Sequence, residues 1–369
     1  MKVLIAGGAG FIGSHLCARL LNEGHDVVCV DNLLTGAERN IAPLLDHPQF
    51  TFVRHDVILP LDDPRAQDAE AIFQLASPAS PVGYWNFPFE TIRVNTEGTM
   101  RLLELAERAN ARFLMASTSE AYGDPLVHPQ REDYWGNVNP IGVRACYDES
   151  KRLGETITIE FQRRRGVDAR IVRIFNTYGP NSQLRDGRMI PNFITQALQN
   201  RPISIHGTGA QTRSICYVDD LVDGLIRAMF TPGTTGEVYN LGNPDEESVR
   251  TWAELVISLC GSSSRLVFEA KREDDPERRK PDIEKARTQL GWIPQVTPAA
   301  GLARTITWFR AEMEREGTWQ IAAPASPAKT DNQSSKTEVG RLNGAHQERQ
   351  ERPDAPRHAP QLPAAEASR

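Results

Sequence analysis

A tyrosine and a lysine four residues apart, Tyr147 and Lys151, stand at the start of a stretch with a helical pattern. Residues four apart on a helix lie on one face, so the phenol and the ammonium group would be close together. A nearby ammonium group stabilises phenolate and lowers the pKa of a tyrosine, which would let Tyr147 act as a base toward a substrate hydroxyl. This spacing also occurs often by chance, so a pair of surface side chains is the alternative interpretation.

A second group of reactive side chains follows a predicted strand at residues 112–117, where Thr118, Ser119 and Glu120 occur in succession. A hydroxyl group there could share a proton with a substrate alcohol, and a carboxylate could move a proton at a neighbouring carbon. The alternative for Thr118 and Ser119 is a helix cap or a turn. For Glu120 the alternative is a solvated surface carboxylate.

A glycine-rich turn follows the first predicted strand, with Gly7, Gly10 and Gly13 spaced G-x-x-G-x-x-G. Gly7 allows a sharp turn, Gly10 allows the backbone to approach a pyrophosphate, and Gly13 allows the next helix to pack closely on the sheet. The free N–H groups at the start of that helix would face the phosphates. Because the turn joins a strand to a helix, this pattern strongly indicates a dinucleotide site.

Asp31 ends the second predicted strand, 18 residues after Gly13. A carboxylate at that position accepts hydrogen bonds from the adenosine ribose and repels a 2′-phosphate, so NAD is predicted rather than NADP. Lys151 could hold the nicotinamide ribose of the same cofactor. A solvated turn residue is the alternative for Asp31. Further candidates for cofactor contacts, for which a plain turn role is an equal alternative, are Phe11, Ile12, Asn32, Thr35, Asp56, Val57, Leu75 and Ser77.

The elements that must position these residues alternate between strand and helix patterns. Strands are predicted at 2–6, 25–31, 50–55, 71–75, 112–117 and 169–175, with helices at 12–23, 91–108 and 148–165. This alternation predicts an α/β fold of Rossmann type, a doubly wound parallel sheet with helices on both faces. In such a sheet ligands bind beyond the carboxyl ends of the strands, which is where the candidate residues occur.

The later part of the chain is less regular. Helices are predicted at 190–200, 218–229, 251–259 and 298–315. We expect residues 1–178 to form an NAD-binding domain and 179–320 a smaller lobe, interleaved with the first, that binds the substrate. Residues 321–369 are rich in Pro, Ala, Gln and Ser and poor in larger aliphatic residues, so we expect a disordered tail.

Charge and cysteine content narrow the classes of function. The net charge is −6, so no basic surface indicates nucleic acid as a partner. The five cysteines form no CxxC pair and no His/Cys cluster with metal-ligand spacing, so no metal site is predicted and the thiols are expected to be reduced and mostly buried. No uncharged apolar run reaches the ~18 residues of a membrane span, and the N-terminal apolar run is a strand rather than a signal peptide. A cytoplasmic enzyme with no membrane contact is therefore expected.

With the glycine turn and the Tyr147/Lys151 pair, the sequence resembles the extended short-chain dehydrogenase/reductase family over roughly residues 1–315. Within that family several stretches are similar to the nucleotide-sugar decarboxylases that act on UDP-glucuronate. These stretches are 116–120, 128–130, 132–142, 144–149, 173–180, 211–213, 240–244 and 279–283. In two places the chain departs from its relatives, with Val143 where they often have proline and Ser150 where they often have glycine.

The resemblance implies an enzyme with tightly bound NAD that oxidises C4 of UDP-glucuronate, releases carbon dioxide and reduces C4 again, giving UDP-xylose. It implies that Glu120 and Arg279 lie near the sugar carboxylate and C5. It also implies a homodimer. Residues implied to bind the UDP-sugar are Tyr84, Asn176, Arg188, Arg213 and Tyr217.

Three other functions remain open. A nucleotide-sugar 4,6-dehydratase would share the cofactor and Tyr147, but such enzymes usually have aspartate where this chain has Ser119. A 4-epimerase needs neither Glu120 nor a partner for a carboxylate. A regulatory protein that senses NAD would keep the glycine turn but could dispense with Tyr147 and Lys151.

Overall fold

A central parallel sheet supplies the edge on which the predicted site residues meet. The computed structural model describes residues 1–270 and 278–318. In these residues the strands are β1 (Lys2–Ala6), β2 (Asp26–Asp31), β3 (Phe50–Arg54), β4 (Ala71–Gln74), β5 (Arg112–Thr118), β6 (Ala169–Ile174), β7 (Thr177–Tyr178), β8 (Ile203–His206), β9 (Thr212–Ser214), β10 (Cys216–Tyr217), β11 (Val238–Leu241), β12 (Glu246–Ser248) and β13 (Leu266–Glu269). The α-helices are α1 (Phe11–Asn22), α2 (Pro81–Asn86), α3 (Pro88–Arg93), α4 (Thr99–Ala109), α5 (Ala145–Arg165), α6 (Met189–Leu198), α7 (Val218–Phe230), α8 (Val249–Cys260), α9 (Glu284–Leu290) and α10 (Pro298–Arg315).

Seven of these strands form the sheet in the order β11-β6-β5-β4-β1-β2-β3, and every neighbouring pair is parallel. The predicted Rossmann-type doubly wound fold is therefore confirmed. Each of the six predicted strands matches one of β1–β6 to within one residue at either end. Strand β11 was not predicted; it comes from the later part of the chain and extends the sheet beyond β6.

The sheet is buried on both faces. Side chains of a strand point alternately to opposite sides of the sheet, so one strand contributes to two apolar clusters. Along β1, Val3 and Ile5 belong to one apolar cluster, whereas Leu4 and Ala6 belong to another. The first cluster includes residues of α1 and α7, and the second includes residues of α4 and α5. Helices on both faces thus hold the sheet rigid and leave its carboxyl edge free for a ligand.

The predicted helices at 91–108 and 148–165 differ most from the observed ones. The helix predicted at 91–108 consists of α3, a π-helical turn at Val94–Gly98, and α4. Helix α5 begins three residues before the predicted start, because the carbonyl of Arg144 accepts hydrogen bonds from the N–H groups of Tyr147 and Asp148 (3.0 and 3.1 Å). The earlier start places both Tyr147 and Lys151 within the helix.

Beyond β6, three short strand pairs, β7 with β10, β8 with β13 and β9 with β12, stand apart from the main sheet. The division of the chain at residue 178 stays a prediction, and the predicted tail at 321–369 lies outside the described residues. Within residues 1–270 and 278–318, no helix is long and apolar enough to cross a bilayer. The same residues contain no cluster of three or more His, Cys, Asp or Glu side chains able to hold a metal ion.

Candidate active site

A cavity of about 1690 Å³ lies at the carboxyl ends of β1, β2, β4, β5 and β6. Ligands of open α/β sheets bind at this edge. The predicted site residues that line the cavity are Gly7, Gly10, Phe11, Ile12, Gly13, Asp31, Asn32, Thr35, Asp56, Val57, Leu75, Ser77, Tyr84, Thr118, Ser119, Glu120, Tyr147, Lys151, Asn176, Arg188, Arg213 and Arg279.

The glycine turn leaves room for a bulky anion at the start of α1. Gly7 has a φ of +80°, and a Cβ there would lie 2.7 Å from the backbone nitrogen of Ala76. A Cβ on Gly13 would collide with the carbonyl oxygen of Gly7. By contrast, a Cβ on Gly10 would contact only that carbonyl, at 3.1 Å. The start of α1 has no side-chain cap, so its N–H groups are available to phosphate oxygens.

Asp31 is buried at the end of β2 and accepts hydrogen bonds from the backbone N–H groups of Ala9 (3.0 Å) and Leu33 (2.8 Å). Burial raises the pKa of its carboxyl group, and the two N–H donors oppose that rise. These bonds fix the carboxylate beside the glycine turn. A Cβ on Gly36 would lie 2.9 Å from both carboxylate oxygens, so a side chain there would crowd the cavity.

The flanking residues make the turn contacts that were the alternative to a cofactor role. Asn32 donates to the carboxylate of Asp56 (3.1 Å), and each side chain also accepts from a backbone N–H two residues later. The carbonyl of Thr35 accepts from the side chain of Gln183 (2.7 Å). Ser77 differs, because its buried hydroxyl has no hydrogen-bond partner in the described residues.

Tyr147 and Lys151 lie side by side on α5, as predicted. The ammonium nitrogen of Lys151 is 6.0 Å from the centre of the tyrosine ring and donates to the carbonyl of Ala116 (2.8 Å). The hydroxyl of Thr118 hydrogen-bonds the phenol of Tyr147. On its other side the tyrosine ring stacks on Tyr84, with centroids 5.3 Å apart.

The expected lowering of the tyrosine pKa is wrong for the protein alone. Burial raises the pKa of Tyr147 above its ordinary value, although the hydrogen bond from Thr118 opposes this. Burial also lowers the pKa of Lys151 to about 7, so the ammonium group that was to stabilise phenolate is itself only partly charged near neutral pH. The sequence spacing correctly paired the two side chains but could not include the loss of water around them.

Glu120 is held by two guanidinium groups. Its carboxylate accepts from Nη1 and Nη2 of Arg279, the latter at 2.9 Å, and it also pairs with Nη2 of Arg144. Burial works to raise the pKa of Glu120, but the charges of Arg279 and Arg144 outweigh it and lower the pKa to about 2. The carboxylate is therefore ionised throughout the neutral range. The structure thus brings Arg279, 159 residues away in sequence, into contact with Glu120.

Four of the five residues predicted for the sugar nucleotide line the cavity, but Tyr217 lies outside it. Its ring packs edge-to-face on Tyr178 (5.6 Å), and a Cβ on Gly301 of α10 would lie 2.8 Å from it. Arg304 lies over the same ring, at 5.7 Å. Tyr217 therefore packs against α10 and does not line the cavity with the other four residues.

Arg188 and Arg213 have protein partners of their own at the cavity wall. Nε of Arg188 lies 3.3 Å from the carboxylate of the buried Asp186. Arg213 donates to the carbonyl of Thr212 (2.8 Å). A phosphate ligand would have to share these guanidinium groups with the protein.

The sequence model of the NAD dependent epimerase/dehydratase family matches residues 3–242, more than half of the chain. The chain belongs to this family. Curated relatives include UDP-glucuronic acid decarboxylase 1 of Xenopus tropicalis, 48% identical over 89% of this chain and 76% of that protein. UDP-glucuronic acid decarboxylase 3 of Arabidopsis thaliana is 50% identical over 85% of this chain and 90% of that protein.

Solved structures of the epimerase/dehydratase family have the same fold. The UDP-glucuronic acid 4-epimerase of Bacillus cereus, solved with UDP-glucuronic acid and NAD, is 29% identical with a TM-score of 0.77, over 85% of this chain and all 100% of that one. DesIV, a dTDP-glucose 4,6-dehydratase of Streptomyces venezuelae solved with NAD, is also 29% identical with a TM-score of 0.77, over 87% of this chain and 99% of that one. The predicted resemblance to extended short-chain dehydrogenases and the predicted NAD dependence are confirmed.

Two residues at or near the cavity of this protein were not predicted from the sequence. Arg144 occurs in a stretch that carried the resemblance, and its position three residues before Tyr147 is a signal that could have indicated it. The other, Asp148, does not line the cavity but lies near Glu120, and its pKa is raised to about 7 by burial and by the charge of Glu120. Its buried Oδ1 has no hydrogen-bond partner in the described residues.

Proposed function

We propose that the protein decarboxylates UDP-glucuronate to UDP-xylose, with NAD as a cofactor that is unchanged after each turnover. The observation that carries this proposal is the ionised Glu120, paired with Arg279, in the same cavity as the hydrogen-bonded Thr118 and Tyr147. Sequence identity of 46–50% to curated UDP-glucuronic acid decarboxylases supports the choice of substrate and reaction.

The residues at the adenosine end fit NAD. Gly7, Gly10 and Gly13 clear space for the pyrophosphate at the start of α1, and Asp31 would accept the ribose hydroxyls. The unpartnered hydroxyl of Ser77 and the ammonium group of Lys151 would serve the nicotinamide half. When bound, NAD⁺ accepts a hydride from C4 of the sugar and returns it after carbon dioxide has left.

Tyr147 would accept the proton of the C4 hydroxyl as that carbon is oxidised. Its phenol is hydrogen-bonded by Thr118, which holds the oxygen in place and opposes the unfavourable effect of burial on the phenolate. The stacked ring of Tyr84 closes the other side of the tyrosine. The side chain of Tyr147 is thus contacted by both Thr118 and Tyr84.

Loss of carbon dioxide then needs a place for the electron pair of the C5–carboxylate bond. With C4 oxidised, the carboxylate is β to a ketone, and the pair moves onto the C4 oxygen. Donors at that oxygen, Tyr147 and Thr118, would stabilise the enolate. A proton from solvent, delivered to C5, restores the tetrahedral carbon, and Tyr147 gives its proton back to the C4 oxygen as C4 is reduced. Glu120, held by Arg279, and Ser119 line the same cavity.

The direct test is to incubate the purified protein with UDP-glucuronate and NAD⁺. We expect carbon dioxide and a UDP-pentose in equal amounts, without net NADH. The absence of carbon dioxide on this substrate would contradict the proposal. Absence of turnover on any nucleotide sugar would favour the regulatory NAD sensor.

The second candidate is 4-epimerisation of the same sugar nucleotide. It is favoured by similarity over nearly the whole described chain to the UDP-glucuronic acid 4-epimerase of B. cereus. An epimerase would return a product with its carboxylate intact and with C4 inverted. The same incubation therefore separates the two, when the product is examined by NMR.

Replacing Asp31 by serine should lower the affinity for NAD by about 10-fold or more, because a buried charged acceptor for ribose hydroxyls is lost. The variant should also lose much of its preference for NAD over NADP, since no carboxylate then repels a 2′-phosphate. Both affinities can be measured by titration calorimetry on protein freed of nucleotide. An unchanged ratio of the two affinities would contradict the proposed role of Asp31.

We also propose a cytoplasmic homodimer whose subunits meet through helices α4 and α5. In support, large apolar side chains are exposed on α5 and on α3 and α4, both of which pack against α5; they are Phe89 (75% exposed), Ile92 (40%), Met100 (41%) and Leu153 (50%). Contiguous exposed apolar surface commonly marks a protein interface.

Leu153→Asp should therefore produce a monomer at concentrations where the unmodified protein sediments as a dimer, because a carboxylate would be buried without a partner. The measurement is sedimentation velocity. Leu126→Asp is the matched control, since Leu126 is 81% exposed but lies in the loop between β5 and α5. A dimer that persists in Leu153→Asp would rule out this interface.

A further inference from the structure

Arg39 is a cation at the adenosine end of the cavity that the proposed reaction does not use. It lies in the segment that follows β2, three residues after Gly36, where a Cβ would be 2.9 Å from both carboxylate oxygens of Asp31. Its side chain is partly exposed and lines the same cavity as Asp31. The side chain of Asn40 donates to the carbonyl of Ala9 in the glycine turn (2.9 Å). Arg39 is therefore held close to the carboxylate that is proposed to bind the ribose.

An aspartate and an arginine in this region have opposite preferences for the dinucleotide. A carboxylate at the end of the second strand favours NAD, whereas an arginine nearby accommodates the 2′-phosphate of NADP. A guanidinium group binds phosphate through forked, charge-assisted hydrogen bonds, which are about twice as strong as neutral ones. Arg39 could thus offer NADP a partner where Asp31 is expected to repel it, unless its guanidinium group is engaged elsewhere.

Helix α10 engages the guanidinium group of Arg39 from the other end of the described chain. Nε of Arg39 lies 3.0 Å from the carboxylate of Glu312, and Nη1 lies 3.8 Å from that of Glu316, directly after the helix. Glu312 is buried and also pairs with Arg315 (2.6 Å). The hydrogen bond from Arg315 lowers the pKa of Glu312 against the effect of burial, and the charge of Arg39 adds to this lowering. Glu312 is therefore ionised at neutral pH.

Glu316 also lines the cavity, so carboxylates from two distant parts of the chain face its adenosine end. Asp31 comes from β2, whereas Glu316 follows α10. A 2′-phosphate placed there would be close to negative charge on both sides, and like charges brought together without a counterion are unfavourable. Arg39, the cation beside Asp31, is already paired with the glutamates.

We propose that Glu312 and Glu316 hold Arg39 away from the 2′ position of the adenosine ribose and so reinforce the selection of NAD over NADP. Asp31 would repel a 2′-phosphate directly, whereas the two glutamates would withhold the guanidinium group that could bind it. Neither glutamate contacts the reacting atoms, and both act on specificity through Arg39. The inference concerns the cofactor alone, so it does not depend on which reaction the protein catalyses.

The test measures which dinucleotide the full-length protein retains. Protein is equilibrated with a mixture of NAD⁺ and a large excess of NADP⁺ and separated from unbound nucleotide, and the bound nucleotides are released and quantified. We expect Glu312→Gln to raise the ratio of bound NADP⁺ to bound NAD⁺ by about 3- to 10-fold, because the freed guanidinium group gains a charge-assisted hydrogen bond to the phosphate. An unchanged ratio in folded Glu312→Gln would overturn the inference.

Glu314→Gln is the matched control. It removes the same charge from the same helix, but Glu314 is exposed and does not line the cavity. The ratio of the two nucleotides should therefore stay at its normal value. A rise equal to that of Glu312→Gln would mean that the net charge of the helix, and not the contact with Arg39, sets the preference.

A double variant shows whether the effect passes through Arg39. When Arg39→Gln is already present, Glu312→Gln should no longer raise the ratio, because two changes that act through one contact are not additive. A rise of the same size in that background would mean that the carboxylate merely repels the phosphate, which would overturn the inference.

If Glu312→Gln does not fold, Glu316→Gln alone decides, since Glu316 is exposed and lies beyond the end of α10. A smaller rise in the ratio is expected, because this ion pair is longer, and the rise should again disappear with Arg39→Gln. No rise would refute the inference. A protein that releases no carbon dioxide from UDP-glucuronate but shows these shifts would refute the proposed function and leave this inference standing.

Discussion

Tyr147→Phe is expected to lower kcat by about 10²- to 10⁴-fold, because the variant lacks the group proposed to accept the C4 hydroxyl proton. The ring is retained, so its stacking on Tyr84 and the start of α5 should be preserved. NAD content and the thermal unfolding temperature should therefore stay close to those of the unmodified protein. Steady-state release of carbon dioxide from UDP-glucuronate measures the effect.

Tyr239→Phe is the matched control for this experiment. Tyr239 lies on β11, outside the cavity, and its hydroxyl donates to Gln289 (2.9 Å). Removal of this hydroxyl therefore costs a hydrogen bond but no catalytic group. We expect kcat to stay near its normal value in this control. Turnover of Tyr147→Phe within a few-fold of normal would exclude Tyr147 as the base.

Glu120→Gln is expected to cause a large loss of both activity and stability. Glutamine has almost the same shape, but the buried guanidinium groups of Arg144 and Arg279 would then face each other without a carboxylate. Removal of one partner from a buried ion pair costs about 3–5 kcal/mol of unfolding free energy. We also expect kcat to fall by about 10²-fold or more, because the charged group proposed to lie beside C5 would be lost.

The stability loss should depend on pH in a defined direction. The pKa of Glu120 falls from 4.5 in the unfolded chain to about 2 in the folded protein, so its ion pairs stabilise the fold fully only above pH 4.5. As the pH falls from 4.5 toward 2, Glu120 must be protonated and this contribution disappears. The difference in unfolding free energy between the two proteins should therefore shrink over that range, in urea titrations at several pH values.

Glu97→Gln provides the exposed counterpart of Glu120→Gln. Glu97 pairs with Arg93 on the surface, where water screens the charges, so its replacement should change stability far less. Equal stability losses for the two variants would mean that burial of the Glu120 cluster contributes nothing. A loss for Glu120→Gln that does not change below pH 4.5 would contradict the lowered pKa.

Several features could be predicted from sequence because they depend on neighbouring residues. The glycine turn, β1 to β6 and the position of Asp31 at the end of β2 were each found close to where the pattern indicated. Alternating burial along β1 and the helical spacing of Tyr147 and Lys151 are likewise properties of a few consecutive residues. Local backbone geometry and side-chain size are sufficient to determine such features.

Helix limits were predicted less well. Helix α5 starts earlier than its apolar pattern suggests, because its first hydrogen bonds are made by the backbone of Arg144, whatever the side chain. The helix predicted at 91–108 contains a π-helical turn at Val94–Gly98 that leaves little trace in the periodicity. Strand β11 was missed because it is short and reaches the sheet only after the irregular second part of the chain.

Local sequence patterns identified only part of the site: the glycine turn, Asp31, Thr118–Glu120 and the Tyr147/Lys151 pair. These residues either follow a strand directly or lie on one helix. Tertiary structure alone decided what surrounds them. It brings Arg279 to Glu120 across 159 positions, adds Arg144 to the same carboxylate, and turns Tyr217 away against α10. It also reverses the expected pKa of Tyr147, because the loss of surrounding water depends on the packing of distant segments, which no local spacing encodes.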